Sequence, residues 1–236
     1  MTPPDVAYIE VAGRSIAYRF RPGASATLVF LPGYASDMEG AKAIALDAFA
    51  AEHGLAMLRL DYSGTGSSGG RFEEGTLALW LEEALAALDQ LTQGPVILIG
   101  SSMGGWIALH IAQLRPERVR ALVGIAAAPD FTDWGFSPEQ AVQLSDKTKP
   151  TRTFWESGQR LRLFDQPEIA VDCPVRLIHG EKDGDVPLDI AYRTARALRS
   201  SDVQVEVIKG GGHRLSEPHE IEAILGTVGG LLELEP

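Results

Sequence analysis

Pro95-Val96-Ile97-Leu98-Ile99-Gly100-Ser101-Ser102-Met103-Gly104-Gly105-Trp106-Ile107-Ala108-Leu109-His110-Ile111-Ala112 decides how the rest of the chain is read. The first five residues form a wholly apolar, β-branched run, the pattern of a strand buried on both faces of a parallel sheet. From Gly105 the pattern is that of a helix packed back onto the sheet. Between them Gly100-Ser101-Ser102-Met103-Gly104 reads G-x-S-x-G at a strand-to-helix turn, a context that presents a serine hydroxyl at the sheet edge. The serine is forced into strained backbone space, and side chains two residues away on either side would keep strand and helix apart. The new helix aims free N–H groups and a positive dipole at the place where an oxyanion would form. Ser102 is therefore the candidate nucleophile. With 25 glycines in 236 residues, a bare G-x-S-x-G also arises by chance, so the remainder of the chain has to support it.

The flanking sequence alternates strands with helices. Residues 6–11 and 14–20 pattern as an edge hairpin around Gly13. Thr27–Leu31 is a buried strand closed by Pro32-Gly33-Tyr34, and a helix at about 40–53 leads to a strand at Leu55–Leu60. The small-residue loop Asp61–Gly70 and a helix at about 75–92 precede the Pro95 strand. Arg118–Ala128 is the next strand. Pro138, Pro150 and Pro167 then break the pattern, so residues 130–172 hold short amphipathic pieces. Regular alternation resumes with a strand at Pro174–Ile178, a helix at 187–199, a strand at 203–208 and a helix at about 217–233. This is the pattern of an α/β fold: a mostly parallel eight-stranded sheet with helices on both faces. One domain over 1–236, with 130–172 as a small lid inserted after the sixth strand, is the simplest organisation.

A serine hydroxyl needs a base to take its proton, and the base needs a partner to fix its tautomer. On sheets of this kind the partners follow in the order serine, acid, histidine, on loops after later strands. Asp183, in His179-Gly180-Glu181-Lys182-Asp183-Gly184-Asp185, follows a buried strand at its carboxyl end, where α/β sites gather. His213, after Gly210-Gly211-Gly212, follows the last strand. Asp183 has two rivals: Asp185, which could instead cap the next helix, and Asp130, after the sixth strand. His213 could be a plain surface histidine, but the other four fit worse. His53 and His219 fall in helices, His110 packs inside its helix, and His179 suits a structural hydrogen bond. The amides of Tyr34 and Met103 are the candidate oxyanion donors. The glycine-serine loop at 61–70 lacks the lysine of a phosphate-binding loop and reads as structural. No metal or organic cofactor is implied.

Composition bounds the rest. A net charge of −11 argues against nucleic acid or an anionic membrane as partner. Cys173 is the only cysteine, so no intramolecular disulfide and no Cys/His metal cluster can form around it. No apolar run reaches membrane-spanning length. Met1-Thr2-Pro3-Pro4-Asp5 lacks a basic then apolar leader, so a cytoplasmic location is expected. Lys147, Lys149, Arg152, Arg160 and Arg162 cluster beside Phe154 and Trp155 in the lid. They either attract an anionic substrate or form a solvated face balanced by Asp146, Glu156 and Asp165. Nothing in the sequence sets an oligomeric state.

Over nearly its whole length the chain resembles the serine α/β hydrolases. More narrowly, it is similar to the animal mitochondrial group described as palmitoyl-protein thioesterases and mycophenolic acid acyl-glucuronide esterases. The resemblance is carried by Pro32-Gly33-Tyr34, Asp61-Tyr62-Ser63-Gly64 with Gly66-Ser67-Ser68, and Gly100-Ser101-Ser102 with Gly104-Gly105-Trp106. It continues in Cys173-Pro174-Val175-Arg176-Leu177 with His179-Gly180, and in His213-Arg214. It implies Ser102 as nucleophile, Asp183 as acid, His213 as base, and activity on small-molecule esters or thioesters or on an acylated protein. Two departures accompany it: the chain opens without a targeting presequence, and the lid is shorter than in that group. A carboxylate-nucleophile enzyme is excluded by the serine at 102. A perhydrolase, a C–C bond hydrolase, or a ligand-binding receptor with a vestigial triad would share the same three residues.

Overall fold

A computed structural model describes residues 3–136 and 151–233. Its centre is one eight-stranded sheet, made of β1 (Ala7–Val11), β2 (Arg14–Arg21), β3 (Ala24–Leu31), β4 (Leu55–Leu60), β5 (Val96–Ser101), β6 (Val119–Ile125), β7 (Val175–Gly180) and β8 (Val203–Ile208). The spatial order is β1-β2-β4-β3-β5-β6-β7-β8. The β1–β2 and β2–β4 pairs are antiparallel, and every later pair is parallel. All six residues of β4 and all six of β5 are buried, as their unbroken apolar runs require. The edge strand β8 alternates half-buried with exposed residues along most of its length.

Among the described residues, α1 (Ala41–Glu52) and α7 (Pro218–Glu233) cover one face of the sheet. On the other lie α2 (Leu77–Leu91), α3 (Met103–Leu114) and α6 (Leu188–Ala197). Thr76 caps α2 by accepting the Leu79 amide at 3.1 Å, which places its start two residues later than the hydrophobic pattern alone suggests. The sixth strand ends at Ile125 rather than Ala128. Ala126 takes φ = 46° and turns the chain, so that Ala127 can pack against Gly105 at the start of α3.

Between β6 and β7, the described parts of 130–172 form two short helices, α4 (Phe131–Trp134) and α5 (Arg152–Arg160). A few polar contacts hold these parts to one another and to the body. The Asp130 carboxylate takes the Leu163 and Phe164 amides, each at 2.8 Å. The Leu161 carbonyl accepts from Trp106 Nε1 at 3.2 Å and His110 Nε2 at 2.9 Å. Gln159 Nε2 donates to the Thr132 carbonyl, and Ser157 Oγ takes the Ala78 amide at the start of α2. Phe154 is fully buried in the core rather than facing outward.

Candidate active site

The turn between β5 and α3 holds Ser102 at φ 53°, ψ −119°. A non-glycine residue here stores about 1–3 kcal/mol of backbone strain, and the surroundings hold it in place. The Ser102 amide donates to the Ile125 carbonyl at 2.9 Å, while its own carbonyl accepts from Gly105 and Ala128. A Cβ on Gly100 would sit 2.3 Å from the Gly104 carbonyl oxygen, and one on Gly104 would sit 2.0 Å from that of Leu31. The two glycines are thus required by close backbone approach.

His213 reaches Ser102 from the loop after β8. Its Nε2 lies 3.1 Å from Ser102 Oγ, and its Nδ1 lies 2.8 Å from Asp183 Oδ2. An ionised carboxylate only accepts, so Nδ1 carries the proton and Nε2 is left to accept from the serine hydroxyl. Asp183 Oδ1 takes the Asp185 and Val186 amides at 2.9 and 2.8 Å. Burial pushes the Asp183 carboxyl up, but the His213 hydrogen bond and charge and these two amides hold it below its ordinary value. Its side chain is fully buried, whereas His213 is 22% exposed, so carboxylate and imidazole are sheltered to different degrees. The chain passes tightly here: a Cβ on Gly180 would meet the Gly211 carbonyl at 2.4 Å, tying the two loops together.

The rivals fall elsewhere. The Asp130 carboxylate is fully buried and spent on the Leu163 and Phe164 amides. Asp185 is exposed, and α6 begins after Pro187 without a side-chain cap, so Asp185 caps nothing. His179 donates to the Val186 carbonyl at 2.9 Å, with the same nitrogen 3.4 Å from Asp183 Oδ2. It therefore braces the loop that carries Asp183. His110 is buried and bonded to Leu161.

Met103, as the first residue of α3, has an amide without an intrahelical partner, and among the described residues neither it nor the Tyr34 amide donates to a protein group. The Tyr34 ring is rooted among Phe154, Phe72, Trp80 and Phe131, with ring centres 5.0–6.1 Å away. The loop beyond it is pinned at Met38, whose amide goes to Asp61 Oδ1 and whose carbonyl goes to Arg59, both at 2.7 Å. Asp61 Oδ2 takes the Ser67 amide, and a Cβ on Gly66 would strike that same oxygen at 2.1 Å. The glycine-serine loop thus closes around a carboxylate, which leaves no cradle for phosphate.

Ser102 opens into a cleft of about 770 Å³, walled by Tyr34, Phe131, Trp134 and Phe136 on its aromatic side and lined also by Lys42, Asp185, His213 and Arg214. Ligand atoms of Asp183, Asp185 and His213 fall within 4.8 Å of one another, the one grouping of metal-ligand type among the described residues. Asp183 already accepts three N–H donors there, so the donor set is that of a hydrogen-bond relay.

A strained serine on the strand-to-helix turn, an imidazole and a buried carboxylate on one edge of a mostly parallel sheet define a class, and the chain belongs to the α/β hydrolase fold family, whose description matches residues 26–153. It is a hydrolase. It is 37% identical to human "Palmitoyl-protein thioesterase ABHD10, mitochondrial", an alignment covering 93% of this chain and 77% of that protein. The structure of mouse alpha/beta hydrolase domain-containing protein 10 superposes with a TM-score of 0.90 at 35% identity, over 97% of this chain and 98% of that one. A putative hydrolase from Agrobacterium vitis S4 superposes with a TM-score of 0.89 at 36% identity, over 98% and 100%.

One expectation is overturned, and part of the basic cluster finds its partners. The human, mouse and orangutan relatives are named as mitochondrial, which overturns the cytoplasmic expectation. That expectation rested on the lack of a leader pattern in the first residues, and a missing pattern fixes no compartment. Of the basic lid cluster, Lys147 and Lys149 lie outside the described residues, as do Pro138, Asp146 and Pro150. Arg152 pairs with Glu156 at 2.9 Å, and Arg162 pairs with Asp165 at 2.9 Å and Asp133 at 3.3 Å. Both arginines are balanced by carboxylates, Arg152 in the open and Arg162 half-buried. Sequence reasoning missed Lys42, whose position early in a helix carries no signal that it faces the cleft. No described helix is long and apolar enough to cross a membrane.

Proposed function

We propose that this hydrolase cleaves carboxylic ester and thioester bonds by acyl transfer through Ser102. The observation that carries the reading is the continuous hydrogen-bonded relay from Ser102 Oγ through His213 to Asp183. As Ser102 attacks the carbonyl, His213 Nε2 takes its proton, and Asp183 holds the tautomer and stabilises the imidazolium. The Met103 and Tyr34 amides receive the developing oxyanion, each worth about 10²–10³ in rate. His213 returns the proton to the departing alcohol or thiol. Water, deprotonated by the same imidazole, then releases the acid from Ser102.

Residues 130–172 act as a lid in this reading, with Phe131, Trp134 and Phe136 as the apolar wall for the acyl chain. The name of the human and mouse relatives supports long acyl thioesters among the substrates, an acylated protein included. The test is a kcat/KM panel of p-nitrophenyl esters from acetyl to palmitoyl with matched CoA thioesters, on wild type and Ser102→Ala. Turnover that needs the serine and peaks at one chain length is the expected result. Turnover that is absent, or independent of Ser102, would move the weight to another reaction on the same residues or to a ligand-binding role.

A further inference from the structure

The amide of Tyr34, which receives the oxyanion in the acyl-transfer reading, sits in a strained turn. The Ser36 amide closes that turn on the Gly33 carbonyl at 3.2 Å. Ala35, at the third place, takes φ = 53°, a left-handed conformation that usually falls to glycine there. The turn is pressed against the nucleophile: a Cβ on Gly33 would come 3.3 Å from the Cβ of Ser102. Gly33 has no side chain to anchor it, and Ala35 and Ser36 are exposed. Between Pro32 and the pinned Met38, the Tyr34 ring is therefore what fastens the turn.

Four rings pack on it among the described residues. Phe72 and Trp80 belong to the body, whereas Phe131 and Phe154 come from α4 and α5, in the segment 130–172. Phe154 lies nearest, with ring centres 5.0 Å apart and planes at 72°, the edge-to-face arrangement in which aromatic quadrupoles attract. It also meets Trp80 at 5.4 Å and Phe131 at 5.7 Å, so it joins the two halves of the cluster. Phe154 is 1% exposed, and it is not one of the described residues that line the cleft, as Tyr34 and Phe131 are. A substrate in the cleft therefore does not touch it, and any effect it has on the reaction passes through its neighbours.

We propose that Phe154 is a positioning residue for the oxyanion donor. Through the Tyr34 ring it fixes the Tyr34 amide beside Ser102, so the segment that covers the cleft acts on the chemical step as well as on binding. This deepens the acyl-transfer reading and rests on it. An oxyanion hole works only where its donors meet the oxygen as charge develops, and small misplacements are costly. One whole donor is worth about 10²–10³ in rate, so a partly displaced one should cost about tenfold in kcat.

Phe154→Leu removes the ring and keeps an apolar side chain in the core. On p-nitrophenyl acetate and butanoate its kcat should fall about tenfold or more, with KM within about twofold, because the lost contact matters only in the transition state. Leu163→Ala is the control. It empties part of the same core from the same segment but contributes no ring to the cluster. It should lower the Tm at least as far while kcat stays within about twofold of wild type. Tyr34→Leu breaks the contact from the half-buried turn, which keeps the test open if Phe154→Leu does not fold. The double variant should lose little more than either single one, as expected of one shared contact. The direct readout is inhibition by 1,1,1-trifluorooctan-2-one. Ser102 Oγ adds to its carbonyl, the hydroxyl proton passes to His213, and the ketone oxygen becomes a hemiketal oxyanion in the hole. Its inhibition constant should rise about tenfold in Phe154→Leu or Tyr34→Leu. That of N-methylheptanamide, which carries the same chain and does not react, should stay within about twofold in Phe154→Leu. An unchanged kcat in Phe154→Leu would overturn the positioning role, as would equal losses for ketone and amide in that variant, or a kcat for Leu163→Ala that falls as far. A wild type that neither hydrolyses the esters nor captures the ketone would overturn the acyl-transfer reading and this inference with it, so wild type alone tells the two failures apart.

Discussion

The turn that carries Ser102 and the segment that covers it are built on opposite principles. Around the serine the contacts are backbone against backbone: Gly104 lies against the Leu31 carbonyl, Gly100 against Gly104, and the Ser102 carbonyl takes two amides. Nothing there can change size without moving a strand. The covering segment is instead held by bonds between side chains and backbone: Asp130 and Gln159 tie its own parts together, and Ser157 Oγ takes the Ala78 amide of the body. Side-chain fasteners can be exchanged one at a time. In the proposed reading, the chemistry sits where no alternative packs, and the acyl-chain wall sits where replacement is cheaper.

The comparison breaks most visibly at the serine itself. Ser102→Ala should lower kcat by up to about 10⁶ with folding intact, measured on the ester panel and by thermal melting. Asp183→Asn comes next, at about 10⁴ in kcat, because an amide at Oδ2 no longer selects the Nδ1–H tautomer of His213. A loss under tenfold would remove Asp183 from the relay. On the covering side, Asp130→Asn puts an N–H where one of two amides now donates and should cost about 1–3 kcal/mol of stability. It should also shift the chain-length optimum of the ester panel while the short acetyl ester loses less than tenfold in kcat/KM. An unchanged profile would mean that this anchor does not shape the wall.

Lys42 offers a pH test of the cleft's edge. Its folded value of about 8 lies below the ordinary lysine value of about 10.4. Across that window the unfolded chain holds a proton that the folded chain has released, so its contribution makes stability rise with pH. Denaturant titrations from pH 7.5 to 10.5 should show this rise in wild type and a flatter curve in Lys42→Met. The smallest effect belongs to Arg152→Gln, which breaks an exposed i,i+4 pair worth about 0.3–0.5 kcal/mol. A shift above 1 kcal/mol there would show that the basic face is bound to something more than Glu156.

Much of this was legible in the chain because its determinants are local. An apolar run followed by G-x-S-x-G and a helical pattern marks the turn within one stretch of sequence, although Ile125 and Ala128 help to hold Ser102 in its strained conformation. The order of serine, aspartate and histidine on the loops after β5, β7 and β8 follows from the sequence order of the strands, which the alternation of apolar runs with helical patterns reveals. Element ends were less legible. The sixth strand stops at Ile125 because Ala126 turns with positive φ to let Ala127 meet Gly105, a contact between two elements that neither announces alone.

The sequence by itself determined the sheet, the turn and the three side chains that meet there. Only the tertiary structure decided what else faces them. His213 finds Ser102 across 111 residues, and Lys42 finds Arg214 across 172, and both meetings depend on the parallel register of β3, β5, β7 and β8. The same holds for Arg152 and Arg162, whose charges read as part of a cluster in sequence and stand in separate ion pairs in space. A backbone turn is chosen by the residues inside it, whereas a charge is matched or left unmatched by whatever the fold brings within reach.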